Sequence, residues 1–135
     1  MRNKLFIIYL LIFTPSVFAE VKEVNNQEIM SLMKNKVPII DIRRSDEWID
    51  TGIIEQSHLI TFFDKKGSYS VEEWLPKLRK IAKEGDPVII ICRSGRRSGI
   101  VSKFLDEQTN YKSVYNASGG ILSWISSKNK IIQPD

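Results

Sequence analysis

The sequence predicts an α/β protein whose parallel sheet is covered by helices on both faces. Short apolar runs alternate with amphipathic segments along the chain, an order typical of strands joined by helical crossovers. The run Val88–Ile91 contains no polar residue, as expected of a strand buried on both faces. With 135 residues, 42% of them hydrophobic and 27% charged, the chain has room for one globular domain.

Residues 1–19 have the pattern of a secretory signal peptide. Arg2 and Lys4 precede nine consecutive apolar residues, and Val17 and Ala19 stand where the cleavage site has its two small residues. A membrane anchor is the alternative, but nine residues are fewer than the roughly twenty that a bilayer requires. We therefore expect cleavage after Ala19, a periplasmic location and no stable association with a membrane.

The net charge argues against a nucleic-acid partner. The full chain has a net charge of +4, and loss of Arg2 and Lys4 with the signal peptide reduces it to +2. A domain that binds nucleic acid through its phosphates usually keeps a much stronger positive charge. We therefore expect no nucleic-acid binding.

The domain is expected to span residues 20–127 and to begin with a strand, a helix and a second strand. Val21–Val24 is expected to form the first strand and Val37–Asp41 the second. Asn26 is expected to cap the helix between them, over Gln27–Lys34. The residues of this helix expected to face inward are Ile29, Met30, Leu32 and Met33.

Asp41 and Arg43 stand at the end of the second strand and are candidate supporting residues of a site. We slightly favour a role for Asp41 in capping the helix that begins near Ser45, and the alternative is direct catalysis. Either role is compatible with a structural pair between Asp41 and Arg43.

The middle of the chain is expected to contain a short strand and a helix. The strand is expected over Ser57–Phe62 and includes His58, the only histidine. Because no cysteine or second histidine stands at a ligand spacing from His58, we favour a structural or surface role for it over a metal or general-base role. Ser70–Glu73 has the pattern of a capping box and should begin a helix that runs to Lys83, with Pro76 in its second turn.

The only cysteine, Cys92, follows the central strand and begins a loop of arginine, serine and glycine. A small hydrophobic role in the core is the alternative for such a cysteine. The loop, however, has three guanidinium groups and no apolar side chain, which suits a sulfur anion or an oxyanion. Ser98 is expected to cap a helix that runs to about Gln108, so that Cys92 faces a helix N-terminus. We expect Cys92 to be catalytic and the substrate to contact Arg93, Ser94, Gly95, Arg96, Arg97 and Ser98.

The last elements are shorter. Ser113–Tyr115 is expected to be the final strand, after which Gly119 and Gly120 permit a sharp turn or a close approach of the backbone. Ile121–Ile125 is expected to form a short amphipathic helix. The polar tail, residues 128–135, is expected to be loosely held.

Several of these segments together resemble the rhodanese (thiosulfate sulfurtransferase) family, over roughly Val21–Ser126. Cys92–Ser98 is similar to the six-residue active-site loop that begins at the cysteine of the family, and Arg97 best matches its loop arginine. Weaker similarities are Asp41-Ile42-Arg43 with Glu47-Trp48, Gly52–Ser57, and Gly119-Gly120 with Trp124. The sequence departs from the family at Ile53, where histidine is common, and at Gln56, where glycine is frequent.

The resemblance implies a five-stranded sheet and a sulfurtransferase that forms a persulfide on Cys92. The implied donor is thiosulfate or a similar small compound, and the implied acceptor is cyanide or a thiol, including a protein thiol. We expect no cofactor, no metal and a monomeric protein. One of the three loop arginines is expected to face solvent.

Two other functions are compatible with a loop of this kind. Cysteine phosphatases and arsenate reductases also place a cysteine between a strand and a helix, but the phosphatases have five residues between the cysteine and the arginine. Here four residues separate Cys92 from Arg97, and the smaller ring suits a sulfur atom better than a phosphoryl group. The second alternative is a non-enzymatic module that carries sulfane sulfur to a partner or docks on one.

Overall fold

The computed structural model describes residues 10–13 and 20–135. The predicted signal peptide falls mostly on residues 1–9 and 14–19, outside the described residues, and stays a prediction. In the described part of the chain, no helix has the length and apolarity required to span a membrane.

The sheet has five strands, and every hydrogen-bonded pair of neighbours is parallel. The strands in chain order are β1 (Lys22–Val24), β2 (Ile39–Asp41), β3 (His58–Leu59), β4 (Val88–Ile91) and β5 (Val114–Ala117). Their order across the sheet is β1-β5-β4-β2-β3, so β4 is the central strand. The predicted five-stranded parallel sheet is confirmed, with the predicted third strand reduced to two residues.

Among the described residues, five helices cover the sheet, and the predicted cover on both of its faces is confirmed. They are α1 (Asn26–Lys34), α2 (Ser45–Thr51), α3 (Val71–Ile81), α4 (Arg96–Gln108) and α5 (Gly120–Ser126). The side chains of β4 alternate between two cores: Val88 and Ile90 pack with α3 and α4, and Ile89 and Ile91 pack with α1 and α5. Because both faces are buried, β4 is apolar at every position.

The start of α1 lies one residue earlier than predicted. Asn25, and not Asn26, is the cap: its side chain accepts a hydrogen bond from the Glu28 amide at 2.9 Å, and Glu28 accepts one from the Asn25 amide at 3.2 Å. This start places Ile29 in the core but leaves Met30 36% exposed, so the predicted inward position of Met30 is wrong.

The predicted cap of α3 is confirmed in part. The Ser70 hydroxyl accepts a hydrogen bond from the Glu73 amide at 3.3 Å. The helix continues through Pro76 but ends at Ile81, two residues before the predicted Lys83. The next residue, Ala82, has extended backbone.

The C-terminal segment is held against the domain over residues 130–132, contrary to the prediction of a loose tail. Ile132 forms an antiparallel bridge with Ile53, with backbone hydrogen bonds of 2.8 and 3.0 Å. The Trp124 indole donates to the Lys130 carbonyl at 2.9 Å, and Ile131 packs against the core. Two isoleucines in an otherwise polar tail supply this contact.

Candidate active site

The site lies where β2 and β4 end beside each other. Asp41, the last residue of β2, pairs in register with Ile91, the last residue of β4. Cys92 follows directly, with only 1% of its surface exposed. The predicted position of Cys92, directly after the central strand, is confirmed. This carboxyl edge of a parallel sheet is where α/β proteins bind ligands.

Two donors contact the sulfur of Cys92. The Gly95 backbone N–H donates to Sγ at 3.1 Å, and the Ser98 hydroxyl donates to it at 3.2 Å. Ser98 is fully buried, so its hydroxyl is held in place beside the sulfur. Both contacts direct the positive end of an N–H or O–H dipole at the sulfur.

Ser98 does not cap α4 as predicted, because the helix begins earlier. Gly95 occupies the cap position with a φ of 97°, a left-handed conformation that glycine adopts without the steric cost of a side chain. The turn at Gly95 makes Arg96 the first helical residue and Ser98 the third. The Ser98 hydroxyl is thereby directed at Cys92 instead of at a backbone amide.

The loop rests on the start of α5 through its backbone. The Cys92 carbonyl accepts a hydrogen bond from Ile121 at 2.9 Å, and the Arg93 carbonyl accepts one from Leu122 at 3.2 Å. Gly120 permits this approach: its φ is 61°, and a Cβ there would lie 2.2 Å from the Arg93 oxygen. The predicted close approach at the glycine pair is confirmed at Gly120.

Asn116 fixes the other side of the loop, and the sequence analysis did not single it out. Its buried side-chain amide donates to the Gly95 carbonyl at 3.2 Å and to the Glu23 carboxylate at 2.9 Å. Both partners are acceptors, so the orientation of the amide is determined by its contacts. A polar residue inside the apolar pattern of β5 was the available signal for this role.

Arg97 forms a bidentate ion pair with Glu47, at 2.8 and 2.6 Å. The hydrogen bond from Arg97 lowers the pKa of Glu47 to about 2, and the bond to Glu47 raises the pKa of Arg97. Glu47 also accepts a hydrogen bond from the Arg44 amide at 3.1 Å. The carboxylate therefore connects the start of α2 to the start of α4, a role that the sequence alone did not assign to it.

Asp41 and Arg43 form the expected pair, and it is buried. The carboxylate accepts from the Arg43 guanidinium at 2.8 Å and from the Arg43 backbone amide at 3.1 Å. Arg43 also donates to the Thr51 hydroxyl at 2.7 Å and to the Gly52 carbonyl at 3.0 Å. Asp41 therefore does not cap α2, whose first residue follows Arg44, and the pair instead connects β2 to the end of α2.

The other predicted ligands, Arg93, Ser94 and Arg96, are exposed. Within residues 10–13 and 20–135, neither Arg93 nor Arg96 makes a side-chain hydrogen bond or ion pair. Two loop arginines thus face solvent, one more than predicted, because Glu47 holds only the third, Arg97. The structure brings Cys92, Gly95 and Ser98 together and leaves the exposed cations at the rim.

His58 lies away from this edge. It is exposed on β3, pairs in register with Ile40 and borders a depression beside Lys36 and Pro38, at the amino end of β2. Among the described residues, no group of three or more histidine, cysteine, aspartate or glutamate side chains is arranged to hold a metal ion.

Comparison with known proteins identifies the family. Residues 25–127 match the family model described as a rhodanese-like domain. The chain is 31% identical over 107 residues to the Bacillus subtilis (strain 168) protein named "Putative sulfurtransferase YtwF", covering 78% of this chain and 91% of the relative. It is 26% identical over 110 residues to "Thiosulfate sulfurtransferase 18" of Arabidopsis thaliana, covering 78% and 79% of the two chains.

The fold is shared with solved structures. The crystal structure of a rhodanese-related protein from Thermoplasma volcanium superposes with a TM-score of 0.64 at 24% identity, covering 84% of this chain and 99% of that protein. At this level of sequence identity, the similarity shows a shared fold only. Since the family model matches most of the chain, the protein belongs to the rhodanese-like family.

Proposed function

We propose that this protein transfers sulfane sulfur from a small donor to a thiol or cyanide through a persulfide on Cys92. The observation that carries the proposal is the pair of donors at Sγ, Gly95 N–H at 3.1 Å and Ser98 O–H at 3.2 Å. The rhodanese-like family and the sulfurtransferase names of its relatives support sulfur transfer in general. Thiosulfate is the donor that we propose specifically.

In the first step, the Cys92 thiolate attacks the outer sulfur of thiosulfate. A new S–S bond forms to Sγ, the S–S bond of thiosulfate breaks, and its electron pair leaves with sulfite. The product is a persulfide whose outer sulfur carries the negative charge. The Gly95 and Ser98 donors stabilise charge at the sulfur, and the exposed Arg93 and Arg96 attract the dianionic donor to the loop.

In the second step, a thiolate or cyanide attacks the outer sulfur of the persulfide. The bond between the two sulfur atoms breaks, and its electron pair returns to Sγ, so the thiolate of Cys92 is regenerated. The acceptor leaves as a persulfide, or as thiocyanate when the acceptor is cyanide. The cycle needs no oxidant or reductant beyond its two substrates, and it predicts ping-pong kinetics.

Mass spectrometry of the intact protein tests this function. Thiosulfate should add the mass of one sulfur atom to wild type, and cyanide or dithiothreitol should remove it. Cys92→Ser should abolish the adduct, because an alcohol is a far weaker nucleophile near neutral pH. The variant should still fold, since the replacement changes the volume of this buried side chain very little.

The alternatives make different predictions for the same sample. A protein that takes up no sulfur but hydrolyses an aryl phosphate would be a phosphatase. A protein that forms the persulfide but passes it to no small acceptor would be a carrier for a protein partner. A cysteine that does neither would have a structural role only.

We also propose that the protein acts in the periplasm as a monomer. The support for the periplasmic location is the arrangement of Arg2, Lys4 and the apolar run before Val17 and Ala19. N-terminal sequencing of the protein purified from its source should return Glu20 as the first residue. Recovery of Met1 on a membrane-bound form would contradict export.

A further inference from the structure

Two depressions adjoin at the edge of the sheet opposite to Cys92. One lies where β2 and β3 begin, beside Pro38 and His58, and the other lies between α1 and the segment after α5. Their volumes are about 300 and about 440 Å³, and Met33 and Gln56 line both. We name the two depressions together the lysine groove. Its lining residues also include Met30, Lys34, Lys36, Glu55, Trp124 and Lys130.

We propose that the lysine groove binds an acidic segment of a partner protein, a stretch of chain that carries aspartate or glutamate beside apolar side chains. The groove and Cys92 lie at opposite edges of the parallel sheet, because His58 begins β3 whereas Cys92 follows the end of β4. A partner bound in the groove would leave the loop at Cys92 open to its substrates. Docking at this edge is therefore separate from the proposed sulfur transfer and does not depend on it.

The charge of the groove favours an acidic ligand. Lys34 and Lys36 are exposed, and neither forms an ion pair in the part of the chain that the structure describes. Lys130 is paired with Glu55 at 2.9 Å, so this cation is neutralised. Three lysines against one glutamate leave the groove with two net positive charges. Carboxylates of a bound segment would give Lys34 and Lys36 partners.

The floor of the groove suits an apolar anchor between those carboxylates. Met30, 36% exposed, and the partly buried Met33 are three residues apart on α1 and so lie on one face of the helix. Trp124, from α5, is 5% exposed and lines the same depression. Methionine side chains are flexible and adapt to different apolar partners. The groove therefore combines an adaptable apolar floor with a cationic rim.

The backbone is strained at several positions around the groove. Among the described residues, the non-glycine residues with a positive φ are Lys36, Gln56 and Lys128, at 64°, 67° and 58°. Lys36 and Gln56 line the groove, and Lys128 precedes the lining residues Asn129 and Lys130. Because this left-handed conformation favours glycine, each of the three positions keeps its side chain at a steric cost. Strained residues of this kind gather at functional sites.

Gln56 is the position where the strain has no local compensation. Lys36 and Lys128 each follow the C-cap of a helix, where the negative end of the helix dipole favours a cation. Gln56 is uncharged and lies in a turn that is closed by a hydrogen bond of 3.1 Å from the Ser57 amide to the Ile54 carbonyl. Its exposed side-chain amide can donate to and accept from the backbone of a bound segment. Binding of such a segment accounts for glutamine at this position.

A membrane and a nucleic acid fit the groove less well than an acidic segment does. A membrane is usually met by apolar side chains that project into it, whereas Met33 and Trp124 line a concave surface. A nucleic acid is usually met by a denser set of cations and by exposed aromatic side chains on which bases stack. The aromatic residue of this groove, Trp124, is buried.

Two soluble libraries of short peptides test the groove. The acidic library contains aspartate, glutamate, leucine, phenylalanine and glycine in random order, and the control library replaces the two acids with asparagine and glutamine. We expect the purified protein to enrich peptides from the acidic library only. The dissociation constant of the most enriched peptide is then measured by fluorescence anisotropy, and it should rise several-fold between low and high salt.

Two pairs of lysine substitutions localise the binding. Lys34→Gln together with Lys36→Gln should raise the dissociation constant by roughly two- to thirtyfold, the effect of losing two exposed ion pairs. Lys77→Gln together with Lys80→Gln is the matched control, because both lysines are exposed on α3, which packs on the other face of the sheet. The control pair removes the same charge and should leave binding unchanged.

Gln56→Gly separates binding from stability. Glycine adopts the left-handed conformation without strain, so the variant should unfold at the temperature of wild type or above it and yet bind the peptide more weakly. A glutamine kept only for the fold would give the opposite result, a lower melting temperature with unchanged binding.

Three results would overturn the proposal: no peptide enriched from the acidic library, equal enrichment from the two libraries, or equal effects of the two lysine pairs. Without peptide binding, lysine-dependent sedimentation with phosphatidylglycerol vesicles would assign the groove to a membrane, and lysine-dependent self-association would assign it to a second copy of the chain. Either result would also overturn the proposal. Cys92→Ser should bind the peptide as wild type does, so failure of the proposed sulfur transfer leaves this test intact.

Discussion

At the scale of single residues, α4 contains two buried serines with different surroundings. Ser98 and Ser102 lie one turn apart on α4, and both are fully buried. The Ser98 hydroxyl donates to Cys92 Sγ at 3.2 Å, whereas the Ser102 hydroxyl has no hydrogen-bond partner among the described residues. Comparing substitutions at these two positions therefore distinguishes the effect of a hydrogen bond to the sulfur from the effect of burying a serine hydroxyl.

We predict that Ser98→Ala slows persulfide formation by roughly tenfold to a hundredfold. A hydrogen bond to a charged group contributes about 1.5–3 kcal/mol, and the persulfide and thiolate would lose one of two such donors. The rate is measured by rapid mixing with thiosulfate. Ser102→Ala is the control and should react at the wild-type rate; equal losses in both variants would mean that the Ser98 contact is not functional.

The sequence predicted the position of Cys92 but not the atoms that contact its sulfur. Cys92 could be placed because a buried strand followed by Arg, Ser and Gly has few structural uses. The sequence predicts that Ser98 caps α4, because a serine before an apolar periodic segment is typical of a helix cap. The left-handed conformation of Gly95, which places the cap at that residue instead, is visible only in the structure. Glu47 pairs with Arg97, 50 residues away in the sequence, and Asn116 contacts Gly95, 21 residues away. Contacts between residues so far apart leave no local pattern in the sequence.

At the scale of elements, the first turn of α5 supports the loop that begins at Cys92. Gly120→Ala should disrupt this support, because its Cβ would lie 2.2 Å from the Arg93 carbonyl oxygen and 2.6 Å from the Ser94 nitrogen. We predict a loss of at least about 3 kcal/mol in the free energy of unfolding, or a displaced loop that no longer loads sulfur. Urea denaturation and the mass assay measure the two effects.

Gly85→Ala is the matched control for this prediction. Gly85 also has a positive φ, 94°, but a Cβ there would meet nothing within 4 Å. Its substitution should cost only the backbone strain of a left-handed residue, about 1–2 kcal/mol, and should leave sulfur loading intact. If the two alanine variants were equally stable and equally active, the contact between α5 and the loop would be unimportant.

Most elements were predictable, and the errors have local causes. The strands β2 and β4 and the helices α1, α3 and α4 follow from apolar periodicity, and their ends differ from the prediction by a few residues. The predicted third strand was too long because only two of its residues pair with β2. The C-terminal segment was missed because its contacts, which include a bridge to Ile53, are made by a few residues without periodicity.

At the scale of the whole molecule, the Glu47–Arg97 pair links stability to pH. Glu47 has a pKa of about 2 in the folded protein, well below its ordinary value of 4.5, because Arg97 donates to it. As the pH falls, Glu47 therefore takes up a proton at a higher pH in the unfolded chain than in the folded protein. The stabilisation is fully present above about pH 4.5 and is lost as the pH falls towards 2.

We predict that Glu47→Gln lowers the free energy of unfolding by about 1–2 kcal/mol at pH 7, once solvent screening is allowed for. The difference from wild type should shrink as the pH falls from 4.5 towards 2, and denaturant titrations across this range would measure it. Glu55→Gln is the control, because Glu55 forms only an exposed pair with Lys130. A difference that stays constant with pH would show that Glu47 acts through packing instead of charge.

The burial of Cys92 has a consequence for when the protein is reactive. With 1% of its surface exposed, Cys92 is shielded from bulky reagents when it carries no transferred sulfur. A small terminal atom, such as the outer sulfur of thiosulfate, suits so narrow an access. In the proposed cycle, the captured sulfur is joined to Cys92 by one S–S bond, so the reactive atom lies about 2 Å from Sγ. The acceptor then has to reach only this outer atom and not the buried Sγ, so sulfur delivery requires less access to the site than sulfur capture does.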